Sequence, residues 1–120
     1  MLKNSFFKIK HISESDNTYR FIVSIHPEHE IFKGHFPQQP IVPGIFVLQT
    51  IKECLEEVFD KKYRYRELTN CKFSHPIFPD KDKDLQIECI YEFTDAFLLK
   101  AAVRSEDTVY ITLKAQLEEI

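Results

Sequence analysis

The stretch Pro43-Gly-Ile-Phe-Val-Leu-Gln-Thr-Ile-Lys-Glu-Cys-Leu-Glu-Glu-Val-Phe59 decides the fold of this chain. A proline suits the first position of a helix, because its missing N–H would have no partner there. Apolar residues then recur every three or four positions, at Ile45, Leu48, Ile51, Cys54, Leu55 and Val58. This spacing places them on one face of a helix. We therefore predict a helix over residues 43–59 that needs a sheet against its apolar face, while the polar residues lie away from that face, at Lys52, Glu56 and Glu57.

Segments of alternating apolar and polar residues surround this helix. The odd-numbered positions of residues 85–93 and 109–117 are apolar, and a period of two is typical of a strand with one packed face. Residues 97–103 form a third segment, and the short polar turns between the three favour an antiparallel meander. Upstream, residues 6–12 and 19–25 predict a hairpin. Residues 63–73 predict a longer strand with a bulge near Glu67.

These elements predict an α+β fold in which one helix packs on an antiparallel sheet. With 120 residues the chain is expected to form a single domain over residues 1–120. The pattern leaves the order of the strands open.

The composition argues against several classes of function. The net charge of −3 provides no broad basic field for nucleic acid or an anionic membrane surface. No apolar run reaches membrane-spanning length, and the first residues lack the apolar core of a signal peptide. Three cysteines without a CxxC spacing favour a reduced, cytoplasmic setting. A local basic cluster either docks an acidic carrier protein or is a solvated face; its members are Lys61, Lys62, Arg64 and Arg66.

A stiff loop precedes the helix. The chain has two glycines, Gly34 and Gly44, and both lie in Gly34-His-Phe-Pro-Gln-Gln-Pro-Ile-Val-Pro-Gly44, together with three of the six prolines. Prolines restrict the backbone, and the loop leads into a helix N-terminus with unpaired N–H groups. His35 can remove a proton next to a carbonyl while those N–H groups hold the oxygen that becomes negative. The alternative is a structural turn whose histidine is hydrogen-bonded.

The same loop resembles a family signature. Gly34-His35-Phe36-Pro37-x-x-Pro40-Ile41-x-Pro43-Gly44 is similar to the motif of the β-hydroxyacyl-acyl-carrier-protein dehydratases, the FabA/FabZ group, as are residues 26–32 and 73–80. The resemblance implies a hotdog fold and the conversion of a 3-hydroxyacyl thioester to the trans-2-enoyl form in fatty-acid or related acyl-chain biosynthesis. It also implies an acyl carrier protein with a phosphopantetheine-linked chain as partner, and no cofactor. Active sites at the interface of a homodimer or a trimer of dimers are expected as well.

Carried over to this sequence, the motif assigns His35 as the base and the Gly44 N–H as the donor to the thioester oxygen. The family's acid, supplied by the other subunit, lies fourteen residues after the histidine, where this chain has Gln49. An amide cannot hand over a proton as an acid does. One helical turn later, where the family often has glutamine, stands Glu53. Glu53 either reaches back with a raised pKa that keeps it protonated, or is a helix-surface glutamate.

Three functional hypotheses follow from this exchange of acid and amide. The chain is an active dehydratase that uses His35, Gly44, Gln49 and Glu53, or a catalytically impaired subunit that works in a hetero-oligomer with a related dehydratase. A hotdog acyl thioesterase is the third hypothesis, because one fold hosts several chemistries. No metal site is expected, since the spacing of His26, His29 and His35 matches no standard one.

Overall fold

The computed structural model describes residues 1–34, 40–80 and 83–120. Along the chain these form β1 (Phe7–Ser15), β2 (Thr18–Ile25), α1 (Ile31–Gly34), α2 (Gly44–Phe59), β3 (Tyr63–Phe73), β4 (Leu85–Phe93), β5 (Phe97–Ser105) and β6 (Thr108–Glu119). Helix α2 begins one residue later than predicted. Pro43 is its N-cap, with extended backbone angles, and the Pro43 carbonyl accepts the N–H groups of Phe46 and Val47.

The six strands form one antiparallel sheet in the order β1-β2-β4-β5-β6-β3. The meander β4-β5-β6 is confirmed, and β3 pairs with β6 at the far edge. The register of β3 shifts between Tyr65 and Glu67, which confirms the predicted bulge. This α+β arrangement, with one long helix packed against an antiparallel sheet, is the expected hotdog fold.

The middle of α2 forms the centre of the core. Ile51, Cys54 and Leu55 are fully buried against the inward residues of the strands, among them Phe21, Val23, Ile87, Cys89, Leu99, Val103, Ile111, Leu113 and Leu117. Burial raises the pKa of the Cys54 and Cys89 thiols. Both therefore behave as small apolar side chains and not as nucleophiles.

Two residues of α2 depart from the predicted amphipathic pattern. Ile45, predicted on the packed face, is 73% exposed, because Val47, on the opposite side of the first turn, is the residue that packs into the core there. Glu56, predicted to lie away from the core, is buried. It accepts the Tyr63 N–H at 2.8 Å and pairs with Lys52 at 3.3 Å, so its charge is compensated.

The basic cluster of residues 61–66 is partly neutralised. The Arg64 Nε lies 2.5 Å from a carboxylate oxygen of Glu118, and the Lys61 Nζ lies 3.3 Å from one of Glu119. These ion pairs favour the solvated-face interpretation. Among the helices of the described residues, none is long and apolar enough to cross a membrane.

Because the middle of α2 is buried, truncating a side chain there should destabilise the protein more than truncating an exposed side chain. Leu55→Ala removes side-chain atoms from the fully buried centre and should lower the free energy of unfolding by about 2–5 kcal/mol. Leu98→Ala removes the same atoms from an exposed position of β5 and should cost less than half as much. Urea unfolding of both variants checks this, and equal losses would contradict the position of α2 in the core.

Candidate active site

Three of the four predicted site residues lie on the first three turns of α2. These are Gly44, Gln49 and Glu53. His35, predicted as the base, lies outside the described residues. Helix α1 ends at Gly34, the residue to which His35 is bonded.

The N-terminus of α2 is available to an oxygen ligand. Among the described residues no side chain caps it, and its first turn contains no acidic residue. The Phe46 and Val47 N–H groups donate to the Pro43 carbonyl, whereas those of Gly44 and Ile45 have no acceptor in the described part of the chain. The helix dipole adds a partial positive charge at this end, so these two N–H groups can stabilise a negative oxygen.

A glycine is required at position 44 because the Phe73 ring lies very close to it. A Cβ at this position would lie 2.9 Å from the Cζ atom of Phe73, which is nearer than non-bonded carbon atoms approach. Phe73 ends β3, and its ring is 51% exposed. The glycine therefore lets an aromatic ring lie directly against the start of the helix.

A mostly apolar cavity adjoins the same position. Its volume is about 260 Å³, and besides Ser74, His75 and Pro76 its lining consists of Ile41, Val42, Val47, Phe73, Ile77 and Ile111. The Val42 N–H donates to the Ile77 carbonyl at 2.8 Å, which holds the segment before α2 against the segment after β3. The cavity can take an apolar chain beside the helix N-terminus.

Glu53 is buried and surrounded by N–H donors. Its side chain is among the fully buried ones, and the residue is 2% exposed. The carboxylate accepts the Leu2 N–H at 2.9 and 3.0 Å, the Lys3 N–H at 2.9 Å and the Gln49 Nε2 at 2.8 Å. The interpretation of Glu53 as a helix-surface glutamate is therefore wrong.

The predicted rise in the Glu53 pKa is wrong as well. Burial by itself raises this pKa, but the hydrogen bonds from Leu2, Gln49 and Lys3 outweigh burial and lower it below its ordinary value. Each of these partners donates a proton, and such bonds favour the charged form of a carboxyl. Glu53 is thus an ionised acceptor at neutral pH.

His29 is a residue that the sequence reasoning did not assign to the site. Its Nδ1 accepts the Ile31 N–H at 3.1 Å and so caps α1, the helix that precedes His35. Its ring lies edge-on against Phe6 and Phe46, with centroids 5.4 and 6.0 Å apart. This contact joins the segment before His35 to the first turn of α2. The sequence offered no signal for this role, because histidine is not among the residues that usually cap helices.

Within residues 1–34, 40–80 and 83–120 no group of three or more histidine, cysteine, aspartate or glutamate side chains is placed to hold a metal ion. The His29 Nδ1 is already occupied by a backbone N–H.

Comparison with known families assigns this hotdog chain to a family. The profile of the ApeI-like family, described as ApeI dehydratase, matches residues 11–114. The chain therefore belongs to the ApeI-like dehydratase family.

Curated relatives are dehydratases of the FabZ type. The 3-hydroxyacyl-acyl-carrier-protein dehydratase FabZ of Pasteurella multocida is 26% identical over 87 residues, covering 66% of this chain and 57% of that protein. The FabZ of Fusobacterium nucleatum is 32% identical over 82 residues, covering 62% of this chain and 58% of that protein. The matched region thus spans less than two thirds of each relative.

Solved structures share the fold. One is a chain of the dehydratase heterocomplex ApeI:P from Xenorhabdus doucetiae, with a TM-score of 0.77 and 19% identity over 92% of this chain and 97% of that one. Another is a probable thioesterase from Bartonella henselae, with a TM-score of 0.66 and 15% identity over 88% of this chain and 91% of that one. At these identities the likeness concerns the fold alone.

The lowered pKa of Glu53 predicts a specific pH dependence of stability. A carboxyl whose pKa is lower in the folded state contributes stability above its ordinary pKa of 4.5. It loses that contribution as the pH falls through the lower folded value. The free energy of unfolding should therefore fall more steeply below pH 4.5 in the parent than in Glu53→Gln. Urea unfolding at a series of pH values measures both slopes, and identical slopes would contradict the ionised state of Glu53.

Proposed function

We propose that the chain is a dehydratase subunit that converts a 3-hydroxyacyl thioester on an acyl carrier protein to the trans-2-enoyl thioester and water. The observation that carries this proposal is the uncapped N-terminus of α2 at Gly44, beside an apolar cavity, in a chain of the ApeI-like dehydratase family. This arrangement provides one place for a thioester oxygen and an adjacent place for an acyl chain.

The first step is removal of the α-proton. The imidazole of His35 takes the proton, and the electron pair of the broken C–H bond moves toward the thioester carbonyl. The carbonyl oxygen becomes negative and is held by the Gly44 N–H, which is aligned with the helix dipole. The product of this step is an enolate opposite a protonated histidine.

The second step expels the 3-hydroxyl group. The electron pair of the enolate returns to form the double bond between Cα and Cβ, and the C–O bond breaks. The leaving oxygen takes the proton from the His35 imidazolium, which restores the neutral base and releases water. One histidine thus serves as base and then as acid, because Gln49 is an amide and Glu53 is ionised.

The amide at position 49 also favours a second candidate, a subunit completed by a partner. A related dehydratase chain with an acid at the equivalent position would supply the proton to the hydroxyl group across a shared site. The exposed Ile45, on the first turn of α2, fits a subunit contact near Gln49. The dehydratase heterocomplex from Xenorhabdus doucetiae supports a hetero-oligomer as an alternative to the homodimer or trimer of dimers.

We place this activity in the cytoplasm. Cys54, Cys71 and Cys89 are free thiols, which suits a reducing compartment. An acyl thioesterase is not favoured by any contact in the site, since the probable thioesterase from Bartonella henselae shares only the fold.

Hydration of a crotonyl thioester, the reverse of the proposed reaction, tests the function. Loss of the ultraviolet absorbance of the enoyl thioester is followed with the purified chain. His35→Ala should lower the rate at least about a thousandfold, because base and acid are lost together. His11→Ala, a change on the exposed side of β1, is the matched control and should leave the rate unchanged.

Three other outcomes would revise the proposal. Near-parental activity of folded His35→Ala would contradict the role of this histidine. Activity that appears only when a related dehydratase chain is added would establish the hetero-oligomer. Release of free thiol without loss of the enoyl absorbance would establish a thioesterase.

A further inference from the structure

We propose that Glu53 is a positioning residue that fixes the Gln49 amide with its carbonyl oxygen free to accept a hydrogen bond from the substrate's 3-hydroxyl group. This inference rests on the proposed dehydratase function and adds a residue that acts through another. It also connects the site to residues 2 and 3, which lie outside every motif of the sequence.

The carboxylate of Glu53 is itself held in place by the backbone. Its Oε1 accepts the N–H groups of Leu2 and Lys3 at 3.0 and 2.9 Å, and its Oε2 accepts the Leu2 N–H at 2.9 Å. Backbone donors cannot rotate away as side chains can. The position of the carboxylate is therefore set by the fold and not by its own rotamer.

This anchored carboxylate determines which end of the Gln49 amide faces it. An ionised carboxylate only accepts hydrogen bonds, whereas an amide carries two N–H donors at one end and an acceptor oxygen at the other. The 2.8 Å contact between the Gln49 Nε2 and the Glu53 Oε2 is therefore an N–H donation. The reversed amide would bring two acceptor oxygens together at the same distance.

The remaining groups of the amide are then available to a ligand. With Nε2 committed to Glu53, the Gln49 carbonyl oxygen and the second N–H face other directions. Gln49 is half-buried and lies one helical turn after the exposed Ile45, on the same side of α2. An acceptor there suits a hydroxyl group. A 3-hydroxyl that donates to this oxygen keeps its lone pairs free to accept a proton.

The segment that anchors Glu53 is attached at two further points. Lys3 forms an ion pair with Glu57, and Phe6, which is fully buried, lies edge-on against Phe46 with centroids 4.9 Å apart. Residues 2–6 therefore contact three turns of α2. Through Glu53 and its hydrogen bond from Gln49, this segment is connected to the proposed hydroxyl subsite.

The first test compares Glu53→Gln with Glu57→Gln. An amide at position 53 has one acceptor oxygen. With that oxygen toward the Leu2 and Lys3 N–H groups, its NH2 group faces Gln49, so the Gln49 NH2 loses its acceptor and the Gln49 oxygen turns toward position 53 and away from the substrate. The value of kcat should fall about tenfold to a hundredfold, with KM within about twofold. Glu57→Gln removes the neighbouring charge that pairs with Lys3 without touching Gln49, and kcat should stay at the parental value.

The orientation of the amide is measured without activity. In a sample labelled with ¹⁵N-glutamine, the Gln49 NH2 pair should show one slowly exchanging, displaced proton signal in the parent and in Glu57→Gln. That signal should move to the values of a free amide in Glu53→Gln. An unchanged Gln49 signal in folded Glu53→Gln would overturn the proposal.

Gln49→Glu provides a second variant in case Glu53→Gln does not fold. It places a second carboxyl at hydrogen-bond distance from a carboxylate that the backbone holds ionised, so the introduced group should titrate well above an ordinary glutamate. Carbon-13 chemical shifts of the side-chain carboxyl groups report this directly. An ordinary titration of the introduced carboxyl would overturn the proposal.

The proposed dehydratase function and the proposed role of Glu53 can be refuted independently of each other. A parent chain without hydratase activity, alone or with a related subunit, would refute the dehydratase function, while the Gln49 signal would still decide whether Glu53 fixes the amide. Full activity in folded Glu53→Gln would refute the positioning role and leave the function intact.

Discussion

The anchoring of α2 in the core, beside a first turn whose N–H groups keep no acceptor, is the constraint on which the candidate site depends. Ile51, Cys54 and Leu55 are enclosed by the sheet, which fixes the direction of the helix axis. In the first turn Val47 is still buried, whereas Ile45 on the other side of the helix is exposed. Among the described residues the Gly44 and Ile45 N–H groups have no acceptor, so they can meet a ligand while the helix is held in the core. A glycine at this terminus lets Phe73 and the apolar cavity lie directly beside it.

The second determining interaction is the saturation of Glu53 by N–H donors. A buried carboxylate is costly unless it is hydrogen-bonded, and here two backbone groups and one side-chain amide satisfy it. Glu53 is therefore ionised, although burial alone would favour the protonated form of an acid. Since an amide at position 49 and an ionised Glu53 do not donate a proton as an acid does, the dehydration proposed for this chain relies on a histidine that both takes and returns the proton, or on an acid from another chain.

The sequence allowed most of the secondary structure to be predicted, because its determinants are local. Strand β4 has the predicted bounds, since apolar and polar residues alternate along it without interruption. The bulge of β3 near Glu67 was visible as a break in the same alternation. The order of the strands was not predictable, because the pairing of β3 with β6 joins segments far apart in the chain.

The candidate site was predictable only in part, because some of its contacts join residues that are far apart in the chain. The resemblance of the Gly34–Gly44 motif to a dehydratase signature predicted Gly44 and Gln49 as site residues, and the structure places both on α2. The state of Glu53 depends on Leu2 and Lys3, about fifty positions away, and no periodicity reveals that contact. The prediction that Glu56 lies away from the core was wrong, because its carboxylate accepts a hydrogen bond from the Tyr63 N–H on the next strand.

The most direct test of this account uses the fact that the chain has only two glycines. A sample labelled with ¹⁵N-glycine gives two backbone amide signals, one from Gly34 and one from Gly44, and Gly44→Ala assigns them. Titration with crotonyl-pantetheine should shift the Gly44 N–H downfield, because the thioester oxygen accepts its hydrogen bond, while the matching thioether without a carbonyl should not. An unmoved Gly44 signal at saturating thioester would contradict the proposed oxyanion role and with it the dehydratase mechanism.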